Sequence, residues 1–428
     1  MKIPFKHLFS FLIIFLIIPF QTYSKEAPGS YQQAYIKTVQ LHKKDWPLSY
    51  PIINIRAKEQ LQLSFDDFST ESRNYYYTVT HCNASWEESD LMETDFMSGF
   101  TSNPLDDYQF SFNTTFDYTH YNLFFPNDNM QLLLSGNYII KVYEDNDRDN
   151  PVLTRPFMVY EPLVNIVPQI KYSVNSSLRK AMQEVDFTIH HPNFTITNPI
   201  EEIKVVVQQN GRIDNQITDL KPLFIRPGEL VYDYNRENLF EGGNEFRWLD
   251  IRSTRFAPEY VENIEFHPPH YHFALFPDQH RNDKSYFYKE DFNGRYYIET
   301  REKRDHEIEA DYVFVHFSLP VKQPFLDGAV YINGAITNWQ LNEKTQMTYN
   351  PQNMSYEKTL LLKQGFYNYQ LLFKSLNTKK GKLQRIEGSF GQTENDYLIL
   401  VYYSGFGDYY DRLIGVTTAN SLKYNISQ

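Results

Sequence analysis

Short runs rich in Val, Ile, Tyr and Phe recur along almost the whole chain, each bounded by Gly, Pro, Asn or Asp. Such runs, repeating every 8–12 residues or so (about one strand and its turn), pair into sandwiches of strands rather than coiling into helices. The clearest set lies in residues 329–373. It holds strand-type runs at 329–332, 347–351, 356–362 and 367–373, with Asn333-Gly334 and Lys363-Gln364-Gly365 as turn signals. Aromatic content points the same way: 34 Tyr, 33 Phe and 4 Trp make up 17% of the sequence, and Tyr and Phe favour the half-buried faces of sheets. At 428 residues the chain is too long for one core. The expected fold is all-β, two to three consecutive β-sandwich domains of immunoglobulin-like or early-set type with a few short helices.

Sequence order suggests four parts: residues 1–24, 25–160, 161–290 and 291–428. The first reads as a cleaved export signal. Lys2 and Lys6 precede an apolar run from Leu8 to Phe20, and Thr22-Tyr23-Ser24 offers small residues for cleavage. That run is shorter than the roughly 20 residues of a membrane span. In the second part Asp66-Asp67 and the charged stretch 144–150 read as turns, and residues 87–96 as a helix with acidic residues in its first turn. In the third part strand signals fall at 164–172, 184–190, 203–209, 229–234, 246–251 and 261–267.

Several function classes are disfavoured by the residues alone. The net charge is −12, with no basic run, so nucleic acid and anionic membrane are poor partners. Cys82 is the single cysteine and cannot form an internal disulfide. It neighbours His81, but adjacent residues of a strand point to opposite faces, which favours an inert buried thiol. His267, His270 and His272 flank Pro268-Pro269 and read as solvated histidines on a stiff extended segment. No phosphate-binding Gly-rich loop, nucleophile elbow or zinc-enzyme helix motif occurs. The expectation is a non-enzyme with no catalytic residue, cofactor or metal. The block 241–247 (EGGNEFR) is unusual: it reads either as a functional loop or as a structural corner in which Arg247 caps carbonyls or pairs with a carboxylate.

Residues 329–373 resemble the glycogen-binding modules of starch-active enzymes and AMP-activated kinases, through Asn338-Trp339 after the first strand and the Leu362-Lys-Gln-Gly-Phe-Tyr-Asn-Tyr369 run. That resemblance would make Trp339 and Asn338, with Tyr367 and Tyr369, contacts for a glycan or partner; Arg247 is added from its own block. The run carries no second Trp, and the module's Asp-Gly after the last strand is replaced by residues 374–381. Trp339 is therefore read as a strand-turn anchor, with glycan binding as the alternative function.

Blocks spread over the whole chain resemble the plug proteins of the type IX secretion system of Bacteroidetes. They include Leu61–Asp67 (LQLSFDD), residues 77–86 (YTVTHCNASW), 134–138 (LSGNY), 240–247 (FEGGNEFR) and 393–403 (TENDYLILVYY). The resemblance implies a periplasmic protein, peripheral to the outer membrane, that docks on the translocon barrel and closes its pore in the resting state.

Overall fold

The computed structural model describes residues 30–69, 73–145, 147–378 and 380–423; the expected export signal lies outside them. Strands dominate. Among the described residues the helices are three single turns, Glu93–Phe96, Pro199–Glu202 and His306–Glu309, with a 3-10 turn at Ala335–Thr337. The helix expected over 87–96 is thus reduced to its last turn. Upstream, the Asn83 side chain accepts from the amides of Ser85 and Glu87, and Cys82 bridges to Glu88. That backbone is committed to an Asx turn and a bridge, which compete with helix.

In the first unit Gly136–Glu144 pairs with Pro151–Tyr160 and with Tyr75–Cys82. Opposite, Leu61–Asp67 lies between Ile36–Lys43 and Thr119–Phe125. Leu61, Leu63 and Phe65 of one sheet meet Tyr138, Ile140 and Val142 of the other in a common core, the period-2 alternation that a half-buried strand requires.

The next two units depart from the expected boundary at residue 290, because the third is inserted into the second. In the second, Met182–His190 pairs with Asn165–Tyr172 and Glu229–Tyr232. It faces a sheet of Ile203–Gln209, Asp396–Tyr403 and Arg412–Asn420. In the third, Gly365–Ser375 pairs with Arg247–Asp250, Tyr296–Ile298 and Gly328–Asn333. Its other sheet takes in Val261–His267, His270–Leu275, Tyr312–Pro320, Ser355–Lys363 and Thr348–Asn350. The strands at 247–250 and 261–267 thus belong with the third unit, and the last two strands of the chain with the second. Pairing follows which faces are buried together, not order along the chain. Asp396–Tyr403 illustrates the cause: Tyr397, Ile399 and Val401 enter the second core, while Leu398, Leu400 and Tyr402 press on Ile52 and Met158 of the first unit. Burial on both faces produces its unbroken apolar run.

Two expected turns are something else. Ser355–Lys363 and Gly365–Ser375 lie in different sheets, so Lys363-Gln364-Gly365 is a corner between layers and not a hairpin. A Cβ at Gly365 would sit 2.5 Å from the Tyr297 carbonyl oxygen, which requires glycine there. The corner sends Lys363 into the first unit, where Nζ donates to Asp66 Oδ2 at 2.7 Å and to the Glu307 carbonyl at 2.6 Å. Asp66 also accepts from Tyr312 Oη and pairs with His120 Nδ1, each at 2.6 Å. Both side chains of the Asp66–Lys363 pair are 1% exposed. Asp66 and Asp67, expected in a turn, are therefore the buried end of a strand, with Asp67 accepting from Tyr75 Oη at 2.8 Å. Carboxylates tolerate such burial when donors surround them. Around the pair, Asp311 accepts from the Thr115 amide at 3.0 Å and its hydroxyl at 2.9 Å, and Phe116 stacks on His270 at 3.9 Å.

Burial alone would raise the Asp66 carboxyl, but the Lys363 ammonium and the His120 hydrogen bond outweigh it and hold it below the ordinary carboxylate range. Lys363→Met leaves that carboxylate buried without its cation and is expected to lower the unfolding free energy by about 3–5 kcal/mol in urea titrations. Asp66→Leu combined with Lys363→Met should recover most of the loss. Because the folded carboxyl titrates below its unfolded value, its contribution is complete above about pH 4 and is lost as pH falls through the folded value. The acid-side decline of the urea midpoint should accordingly flatten in Asp66→Asn.

Candidate functional site

The three units meet around a cavity of about 240 Å³, bounded by Tyr50 and Arg155 of the first, Asn210 and Gly211 of the second, and Arg295 and Trp339 of the third. Trp339 reaches it through local backbone geometry. After the turn Ala335–Thr337, Asn338 and Trp339 both take positive φ, 50° and 57°. The half-buried indole stands edge-on to Phe246, ring centroids 6.2 Å apart at 89°. It sits so close to Gly294 that a Cβ there would meet the ring at 2.4 Å. Asn338 lines the same cavity. Trp339 thus lines the cavity between the units and is braced by Phe246 and Gly294.

The other three residues singled out from the sequence are also internal. Tyr367 is buried, stacks on Tyr296 at 4.8 Å and donates to the Lys363 carbonyl at 2.5 Å. Tyr369 is buried and donates to Asp278 at 3.1 Å. Arg247 forks onto Glu387, Nε at 2.9 Å and Nη2 at 3.0 Å, with Nη1 2.9 Å from Asp278. Arg281 Nε reaches Glu387 as well, at 2.6 Å. Burial would raise the Glu387 carboxyl; the two guanidiniums overcome it and bring it down to about 2. Of the two readings of residues 241–247, the structure supports the corner: a Cβ on Gly242 would lie 2.0 Å from the Phe390 carbonyl oxygen.

Cys82 is buried and its thiol is pushed up to about 12 by burial, so it stays protonated at neutral pH. Pro268-Pro269 do not hold an extended segment; they form a hairpin turn that pairs His267 with His270. His267 Nε2 lies 2.8 Å from Glu265, and His272 Nδ1 lies 2.9 Å from His316 Nε2.

Linear reading missed two gatherings of carboxylates. Glu184, Asp186 and Asp233 surround Lys171, whose Nζ is 3.1 Å from Glu184 and 3.3 Å from Asp233. Glu245, Asp291 and Glu394 bring one oxygen each within 4.8 Å of one another, all three buried. Burial above all pushes these three carboxyls upward, Glu245 to about 7. Their common signal in the sequence is that each precedes a strand, in the blocks 240–247, 291–294 and 393–403.

The outer surface carries apolar residues on two sheet edges. Phe224–Arg226 is an edge strand on which Phe224 and Ile225 are 52% and 53% exposed, next to Leu223 at 46%. Tyr108–Phe110 is an edge strand of the first unit, with Phe110 also exposed. No helix among the described residues is long and apolar enough to cross a membrane.

Comparison with known proteins places this architecture. Residues 36–161 match the family model described as the type 9 secretion system plug protein 1st domain. The crystal structure of a hypothetical protein from Parabacteroides merdae ATCC 43184 superposes with a TM-score of 0.89 at 40% identity, covering 92% of this chain and 98% of that one. No curated protein matches the chain. The class is therefore that of multi-unit all-β proteins associated with type 9 secretion. The chain belongs to the type 9 secretion system plug protein family.

Trp339→Ala removes a junction side chain, so it is expected to destabilise by about 2–4 kcal/mol in chemical denaturation. Co-sedimentation with starch should stay at background in both the wild type and the variant.

Proposed function

We propose that this protein is a periplasmic, non-catalytic plug that docks on the outer-membrane barrel of the type 9 translocon and closes its pore when no cargo is engaged. Family membership is the observation that carries the reading. Three features of the chain support it. The described residues include no helix able to span a membrane, so a membrane-associated role falls to contact with a partner. The first unit is tied to the third by the buried Asp66–Lys363 pair and to the second by the layer of Ile52, Met158, Leu398, Leu400 and Tyr402, which suits a part that docks as one body. Leu223, Phe224 and Ile225 leave an apolar ladder on a strand edge, a feature that free soluble proteins suppress and that interfaces use.

A glycan-binding role has weaker support, because Trp339 is engaged by Phe246 and Gly294 inside the junction. Pull-down with the tagged protein from detergent-solubilised outer membranes of the source bacterium should recover a very large barrel protein. Recovery of no barrel would sink the docking role. Phe224→Ser with Ile225→Ser is expected to reduce that recovery at least tenfold while leaving the thermal midpoint within about 2 °C, since exposed substitutions shift stability little.

A further inference from the structure

The chain passes from the second unit to the third through residues 241–247 and returns through 387–396. Glu245 stands on the outward crossing, Glu394 on the return, and Asp291 on a loop of the third unit beside both. Among the described residues none of the three carboxylates has a Lys, Arg or His within ion-pair distance, although all are buried. The contrast with Glu184, Asp186 and Asp233 is informative, since those gather around the Lys171 ammonium.

The hydrogen bonds around the second group are local and incomplete. Glu245 Oε1 accepts from Tyr286 Oη and from the Glu394 amide at 3.2 Å. Asp291 accepts from the amides of Phe246 at 2.5 Å and Asn293 at 2.6 Å. Glu394 Oε1 accepts from Asn293 Nδ2 at 3.0 Å and from Asn420. Two oxygens have no donor: Glu245 Oε2, on a residue 2% exposed, and the carboxamide oxygen Asn293 Oδ1, on a residue 4% exposed. Asn293 lies against the group, its amide on Asp291 and its Nδ2 on Glu394. Three buried carboxylates, one of their oxygens without a donor, form a hard, all-oxygen set. Arg281 and Arg295 lend Glu245 and Glu394 some positive charge from beyond ion-pair distance, but a buried set with no direct counter-charge is unfavourable in a low-dielectric interior. A divalent cation supplies positive charge to the group and gives the orphaned Glu245 oxygen a partner.

We propose that Glu245, Asp291 and Glu394 form a divalent-cation site that fastens the two crossings between the second and third units. Calcium is the preferred ion. Its ligands are oxygens at 2.3–2.6 Å in flexible geometry, with water completing six to eight positions, and sulfur or imidazole ligands that would favour zinc or copper are absent from the group.

The test uses the full chain after EDTA treatment and dialysis. Calorimetric titration with Ca²⁺ should give one site per chain, and saturating Ca²⁺ should raise the thermal midpoint by roughly 3–8 °C. Asp291→Asn and Glu394→Gln should each abolish both responses, while Asp233→Asn, in the group that already holds the Lys171 ammonium, should keep them. Should the variants fail to fold, the wild type decides alone, through Ca²⁺ retained after gel filtration and through the midpoint with and without chelator. Absence of binding heat and of any midpoint shift with millimolar Ca²⁺ would overturn the site. So would a response to Zn²⁺ with none to Ca²⁺, or a Ca²⁺ response that persists in Asp291→Asn.

Discussion

The seating of the first unit on the third centres on one buried contact, the Lys363 ammonium against the Asp66 carboxylate. A buried ion pair is a poor source of net stability compared with well-packed apolar groups, because both ions give up hydration. Its effect is on geometry. Asp66 is satisfied when the corner at Lys363 arrives from one direction, with Tyr312 and His120 completing its donors. Slippage of the first unit along the third would strand two charges together. The second unit is then held on the first by the layer of Ile52, Met158, Leu398, Leu400 and Tyr402, and by the Tyr402 hydroxyl on Asn137 at 2.7 Å. With the chain crossing twice between the second and third units, each unit is joined to both of the others.

Much of the local fold was legible in the sequence. The strands expected at 329–332, 356–362 and 367–373 appear as Gly328–Asn333, Ser355–Lys363 and Gly365–Ser375. Alternation and turn chemistry are local properties, so a linear reading captures them. What failed was everything decided at a distance. Asp66-Asp67 looked like a turn because acidic pairs favour turns, yet its donors come from residues such as Lys363 and Tyr312, far along the chain. Lys363-Gln364-Gly365 has the composition of a hairpin, and only the two sheets it joins reveal a corner. The insertion of the third unit had one usable signal, the apolar run from Tyr397 to Tyr402, too continuous for a strand with a solvent face.

The candidate contact residues were chosen on local composition. Trp339, Asn338, Tyr367, Tyr369 and Arg247 drew notice because aromatics, and arginine beside glycines, are common at binding surfaces. Here those side chains tie the units and the third core together. The scaffold likeness at 329–373 concerns strand order and turn type, and a fold of this kind hosts unrelated functions. The features with more capacity for chemistry, the buried carboxylates, are each unremarkable in their own segment and gain meaning from being brought together.

The nested order of the chain also sets a schedule for its maturation. The second unit begins near residue 165, but its closing sheet needs strands that end at Asn420. A chain emerging from its N-terminus can complete the first unit early and the inserted one before the end, whereas the second must wait with half its core uncovered. Joining strands so far apart carries the entropy of a long loop, which the already folded third unit shortens by bringing its own ends together. The last strand supplies Leu413 to the layer on which the first unit rests and Ile414 and Ala419 to the second core, so the final residues of the sheet bear on two cores at once.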